Sequence, residues 1–260
     1  MSLNKNILRK KRGIDMIYVT GDTHGRQEKW LKEIHPVLSP GDTIIIAGDF
    51  GVGFWNGKYF SEETFYDWIS EQPYNVLFVC GNHENFDKLD SYKIEFLNGG
   101  RVHKIRHNII HLMRGEIYNI EGSSIFVFGG GYSLDKYRRR EGVSWWPREM
   151  PSEEEYQNAE SNLKKHNYSV DYIITHTAPI ESIQYLSTNG NIGIKTIIEE
   201  ELPLTSFLDN IQKSVTYKHF YFGHFHVSYP IWRNQTAVFS AICELKTGKI
   251  VKEWKPYEDF

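Results

Sequence analysis

The sequence predicts an α/β fold whose strands share one carboxyl rim, on three observations. Short apolar runs that read as buried strands end repeatedly in a glycine followed by an acidic or amide residue. Helix-period segments alternate with the first of these runs, which implies parallel strands joined by right-handed crossovers. Late in the chain two more apolar runs end in histidine-bearing turns, although only 11 histidines are spread over 260 residues.

Taken in order, the segment before Gly13 carries Lys5, Arg9, Lys10, Lys11 and Arg12 with little to bury, so residues 1–13 read as a disordered basic leader. Residues 14–260 then read as a single domain, with no internal repeat, low-complexity tract or linker. Met16 to Val19 is an apolar strand ending in Gly21-Asp22-Thr23-His24-Gly25, where the glycines allow a sharp turn. Gln27 to His35 places Trp30, Leu31 and Ile34 at helical spacing, and Pro36 stops it. The pattern repeats in Thr43 to Ala47, a strand ending in Gly48-Asp49-Phe50-Gly51. A helix over Ser61 to Ser70 leads to a third strand, Val76 to Cys80, which ends in Gly81-Asn82-His83-Glu84. Ligand sites of open α/β sheets gather at such strand ends.

From Arg101 the style changes. Ile109 to Met113, Glu116 to Ile120 and Ser124 to Phe128 are short, with Arg114-Gly115 and Glu121-Gly122 between them, which suits antiparallel hairpins. Residues 129–151 come next as a long ordered loop, rich in Tyr, Trp and Arg and without a period; loops of that length are usually functional or disordered. Ser152 and Glu155 form a capping box for a helix running to about His166. Asp171 to Thr175 is a strand that ends in His176-Thr177-Ala178-Pro179. Helical segments over Ile194 to Glu201 and Ser206 to Gln212 are interrupted by Pro203, and the strand His219 to Phe222 ends in Gly223-His224-Phe225-His226. Strands over Thr236 to Cys243 and Ile250 to Trp254 close the chain.

A formal net charge of -3 gives no global reason to expect nucleic acid or an anionic membrane as partner, while leaving a nucleic-acid substrate open. Cys80 and Cys243 make no disulfide or metal pattern and read as core residues of a reducing compartment. No apolar run approaches the roughly 18 residues of a membrane span, and the start lacks the apolar core of a signal peptide, so a cytoplasmic location is the default.

Asp22, His24, Asp49, Asn82, His176, His224 and His226 all lie at or just past strand ends. Each has an ordinary reading when taken alone: Asp22 or His176 could cap a helix, Asn82 could form a turn, and His224 could be a satisfied core histidine. Together, carboxylate, imidazole and amide suit borderline metals such as Mn, Fe or Zn.

The order of these motifs, Asp-x-His, Gly-Asp, Gly-Asn-His-Glu, a lone strand-end His and Gly-His-x-His, resembles the calcineurin-like metallophosphoesterases over Ile17 to His226. The resemblance implies two mixed β-sheets packed as a sandwich with flanking helices, an αββα arrangement, and two divalent transition-metal ions. Asp22, His24 and His226 would hold the first ion, and Asn82, His176 and His224 the second, with Asp49 bridging both. His83 resembles the family's non-ligand histidine, which protonates or positions the leaving oxygen. The implied activity is hydrolysis of a phosphodiester or phosphomonoester, a nucleotide among the possible substrates, by a water that the two ions activate. Nothing in the sequence fixes oligomeric state.

One departure bears on substrate. Protein serine/threonine phosphatases and their nucleotide-cleaving relatives continue the second motif as Gly-Asp-x-Val-Asp-Arg-Gly, whose Arg grips phosphate; here Val52 and Gly53 stand at the offsets of that Asp and Arg. The passage Tyr132 to Pro147, which looks like one found in phage and bacterial members, holds Lys136, Arg138, Arg139 and Arg140, candidates to replace the lost clamp. Its other reading is a solvated turn with Trp145 and Trp146 packed on the domain. A protein phosphatase and a non-catalytic metal-binding scaffold are the alternatives; retention of all the ligands plus His83 favours a hydrolase.

Overall fold

A computed structural model of the chain describes residues 15–55, 59–189 and 198–257. The basic leader lies outside the described residues, as does the first half of the helical segment expected over Ile194 to Glu201, whose end is a 3-10 turn at Glu199–Glu201. Sheet one begins with β1 (Ile17–Thr20), β2 (Thr43–Ile46) and β3 (Asn75–Phe78), paired in parallel as the alternation of strands and helices predicts. It continues through β4 (Ile94–Leu97), β5 (Gly100–Arg106) and β6 (Ile109–Leu112), with β6 parallel to β3. The second sheet holds β7 (Ile117–Ile120), β8 (Ser123–Phe128), β9 (Tyr172–Thr175), β10 (His219–Phe222), β11 (Tyr229–Ile231) and β12 (Gln235–Ala237). The chain then returns to sheet one as β13 (Ala241–Glu244) and β14 (Ile250–Glu253). The strand orders are β14-β13-β1-β2-β3-β6-β5-β4 and β11-β12-β10-β9-β8-β7.

The core strands are apolar on both faces because both faces are covered. Ile17, Val19, Ile45, Ala47, Leu77 and Val79 of sheet one pack against Tyr118, Ile120, Ile125, Val127 and Ile174 of sheet two, forming the layer between the sheets. The alternate residues, Ile44, Ile46, Val76 and Phe78, face outward onto Trp30, Ile34, Phe65 and Ile69. Those partners come from the winding that starts with α1 (Gln27–Lys29) and from α2 (Glu62–Ser70); the short α3 (Phe86–Ser91) packs beside them through Phe86 and Leu89. On the far side, Phe126, Phe128, Ile173, Phe220 and Phe222 pack under α4 (Glu153–Lys165), α5 (Ile180–Asn189) and α6 (Leu202–Ser214). The result is the two-sheet sandwich with outer helices that the resemblance implied. No helix among the described residues is long and apolar enough to cross a membrane.

Several local expectations are corrected. The helix from Gln27 to His35 is α-wound only over Gln27–Lys29, then π-wound over Trp30–Ile34 and 3-10-wound over His35–Val37; the loose π winding keeps both Trp30 and Ile34 fully buried. Ile109 to Met113 and Glu116 to Ile120 do not form a hairpin, because β6 pairs with β3 and β5 while β7 pairs with β8 in the other sheet. Thr236 to Cys243 is not one strand: β12 belongs to sheet two and β13 to sheet one, and Val238 to Ser240 carries the chain between them. Pro203 does not interrupt a helix but sits in the first turn of α6, where its missing N–H is harmless. The capping box of Ser152 and Glu155 is formed as expected, and Cys80 and Cys243 are buried free thiols.

Candidate metal centre

All seven candidate ligands leave carboxyl ends of parallel strands, four from sheet one and three from sheet two. The two nearest loops are zipped beyond their strands: Asp22 N–H donates to Gly48 O at 3.1 Å, His24 N–H to Asp49 O at 2.8 Å and Gly25 N–H to Phe50 O at 3.1 Å. The sheets meet through side chains. Asp22 accepts the His224 N–H at 3.0 Å, and Asn82 Oδ1 lies 3.0 Å from His176 Nε2 and 3.1 Å from His224 Nδ1. Asp22, His24 and His226 offer ligand atoms all within 4.8 Å of one another, and so do Asp22, Asp49 and His176.

The backbone is set for these contacts at a cost. Asp22, His24, Asp49, His224 and His226 have φ of 51°, 49°, 52°, 69° and 52°, the left-handed region that non-glycine residues visit rarely and that Asp, Asn and His tolerate best. Such outliers cluster at functional sites. The neighbouring glycines are required by ligands of other motifs. A Cβ on Gly48 would stand 2.0 Å from His176 Nδ1, and one on Gly81 would stand 1.9 Å from Asp49 Oδ1.

The donor set fits cations. His176 Nδ1 lies 3.0 Å from the Ala47 carbonyl, which can only accept, so the ring proton is at Nδ1 and Nε2 keeps its lone pair. That lone pair faces Asp49 Oδ1 at 3.4 Å. Burial pushes the pKa of His24 and of His176 down, toward the neutral form whose free ring nitrogen can ligate a cation. Burial alone would raise the Asp49 carboxyl, but the surrounding His176, His83 and His24, together with a hydrogen bond from His83, hold it well below the usual range. A carboxylate set among imidazole nitrogens is a donor group that could hold a metal ion.

His83 stands apart from the others in what it touches. Its N–H donates to Asp49 Oδ1 at 2.8 Å, its Nδ1 lies 2.8 Å from Asp49 Oδ2, and its Nε2 meets the Arg139 guanidinium. His24, Asp49 and His83 also gather ligand atoms within 4.8 Å of one another, so proximity does not separate His83 from the candidate ligands; its contact with Arg139 is what sets it apart.

Of the four loop cations, the structure brings only Arg139 to the centre. The Lys136 ammonium lies over the Tyr132 ring at 4.6 Å, Arg138 is exposed beside Tyr137, and Arg140 is exposed. Arg139 is half-buried and braced by Asp135 at 2.8 Å and by the Ser144 carbonyl at 3.3 Å. Trp146 is buried, with its Nε1–H donating to Asp87 at 2.8 Å, so one tryptophan of the pair anchors the loop on the domain.

Sequence reasoning missed several supports. Glu84 is fully buried and accepts the N–H groups of Phe50, Gly51 and Val52 at 2.9, 3.1 and 2.6 Å, fixing the turn after Asp49. Its place in Gly-Asn-His-Glu was the one signal. Lys29 is buried and donates to the carbonyls of Gly21, Asp22 and Phe239 at 2.9, 2.9 and 3.1 Å. Phe239 in turn stacks on His226, with ring centroids 4.5 Å apart. Nothing in the local sequence distinguishes Lys29 from a solvated helix lysine.

The family model of calcineurin-like phosphoesterases matches residues 16–228, most of the chain and every candidate ligand. No curated protein matches the sequence.

Proposed function

We propose, from the premise that this chain belongs to the calcineurin-like phosphoesterase family, that it hydrolyses a phosphoester with two divalent transition-metal ions and that Arg139 replaces the phosphate-gripping arginine of the second motif. Asp22, His24 and His226 would hold one ion, Asn82, His176 and His224 the other, and Asp49 both. The observation that carries this reading is the convergence of these side chains on one rim, with His83 and Arg139 in contact beside them. Two such ions supply a nucleophile near neutral pH and offset charge on the attacking and leaving oxygens. Asp49 orients His83 at Nδ1, so Nε2, which Arg139 contacts in this structure, would hold or pass the proton of the leaving oxygen once the guanidinium turns to the substrate. The Arg139 guanidinium, beside that atom, is placed to donate to a phosphoryl oxygen.

The protein phosphatase reading is weaker here for a steric reason as well. A Cβ on Gly53 would stand 2.5 Å from Asn85 Cβ, so an arginine would not fit this backbone at that offset. Val52, at the offset of the orienting aspartate, is fully buried in an apolar cluster. The buried free cysteines agree with a reducing, cytoplasmic setting. The test of the reading is a panel of phosphomonoesters and phosphodiesters given to metal-depleted protein with Mn, Fe, Zn or Ni added back. Turnover should depend on added metal and approach its maximum near two ions per chain; full activity with one ion bound under metal excess would overturn the two-ion reading.

Arg139→Met should lower kcat/KM by about ten- to hundredfold, the worth of roughly 1.5–3 kcal/mol for a hydrogen bond to a charged group, with metal content unchanged. Lys136→Met, Arg138→Met and Arg140→Met together should change it little. Steady-state kinetics on the two proteins decide the matter: an equal loss in the triple variant would remove Arg139 from its special role.

A further inference from the structure

The long loop that brings Arg139 to the rim also reaches the centre at a second point, and there it touches a metal-ligand candidate instead of the proton donor. Ser133 is buried, and its Oγ lies 3.1 Å from Asn82 Nδ2. The buried carboxylate of Glu149, at the other end of the loop, accepts from Ser133 N–H at 2.9 Å and from Ser133 Oγ–H at 2.7 Å. Glu149 is in turn fixed by its own backbone: its carbonyl accepts from Arg114 Nη2 at 3.0 Å and from Gly131 N–H at 3.3 Å.

The chain of donors has a direction. A serine hydroxyl has one proton, and here it is committed to the carboxylate, so the lone pair of Oγ is what Asn82 meets. Only the amide NH₂ end can satisfy that lone pair. The amide oxygen is therefore turned the other way, to His176 Nε2 at 3.0 Å and His224 Nδ1 at 3.1 Å. The alternative rotamer would set the amide oxygen against an oxygen lone pair and point NH₂ at the lone pair of His176 Nε2, where it would take up the position of a cation. An amide is a neutral, weak ligand, so its orientation matters more than that of a carboxylate, whose two oxygens are alike.

We infer that Ser133 and Glu149 are positioning residues that hold Asn82 with its oxygen toward the second metal site, so that the loop carrying Arg139 also sets the affinity of that site. The inference rests on the two-ion reading above. Outer groups that orient metal ligands are typically worth about 10- to 100-fold in metal affinity.

The test is calorimetric titration of Mn or Zn into metal-depleted full-length protein, with elemental analysis of the loaded product. Wild type should show two binding events. In Ser133→Ala and in Glu149→Gln one event should weaken by roughly 10- to 100-fold while the other keeps its Kd. Ser133→Thr, which keeps the hydroxyl, should restore it. Two unchanged events in a folded Ser133→Ala protein, or equal weakening of both, would overturn this inference and leave the two-ion reading intact; a single event in the wild type would overturn both. Should Ser133→Ala not fold, the Glu149→Gln and Ser133→Thr pair gives the same decision.

Discussion

Asp49→Asn is expected to damage hydrolysis more than any other single substitution. Asparagine keeps the shape of the side chain and tolerates the left-handed backbone at this position, where φ is 52°, so what it removes is chiefly the charge. That charge faces His176 at 3.4 Å on one oxygen, and His83 at 2.8 Å and His24 at 3.7 Å on the other. A change here reaches both proposed ion sites and the orientation of His83 together. The loss in kcat/KM should exceed the roughly 10²- to 10⁴-fold usually assigned to one positioned proton donor. Elemental analysis should find fewer than two ions per chain even under metal excess. An Asp49→Asn protein that holds two ions and loses less than tenfold in rate would remove Asp49 from the bridging position.

The second large effect is expected from His83→Ala, and its signature is a division between rate and metal. The ring meets Asp49 at Nδ1 and Arg139 at Nε2. If it handles the leaving-group proton, the rate should fall by about 10²- to 10⁴-fold with both ions retained. The loss should shrink for a nitrophenyl ester, whose leaving group needs little protonation. Equal losses for good and poor leaving groups, or loss of an ion, would instead make His83 a ligand or a structural residue.

The parts of this molecule that are legible in the sequence are those where strand and ligand are contiguous. The runs ending at Asp22, Asp49, Asn82, His176 and His224 announce both the buried strand and the ligand-bearing turn at its end, and the parallel core of sheet one is legible with them. The hairpin of β4 and β5 is not. Ile94 and Phe96 are exposed at 50% and 74%, so the strand that carries them lacks the buried apolar signal that marks the others. The crossing from β12 to β13 is hidden for the opposite reason, since Val238, Phe239 and Ser240 are buried and lack the glycine or proline that marks a turn. Which arginine reaches His83 depends on how one irregular loop is folded, and four adjacent cations carry no information on that. The orientation of Asn82 likewise depends on Ser133 and Glu149, which are 51 and 67 residues away in the chain and meet only through tertiary structure.

The left-handed backbone at five of the ligands bears on how a scan of this site should be designed. Alanine is the customary probe, yet at Asp22, His24, Asp49, His224 and His226 it keeps a Cβ that the chain resists, at a cost of roughly 1–2 kcal/mol, while deleting the side-chain contacts that hold the turn. At Asn82 and His176, where φ is ordinary, the same probe reports the side chain alone. An alanine scan would thus sort the seven positions by backbone geometry as much as by chemistry. Glycine at the five left-handed positions relieves the turn while deleting the ligand, so a mixed scan, glycine there and alanine at the other two, compares like with like.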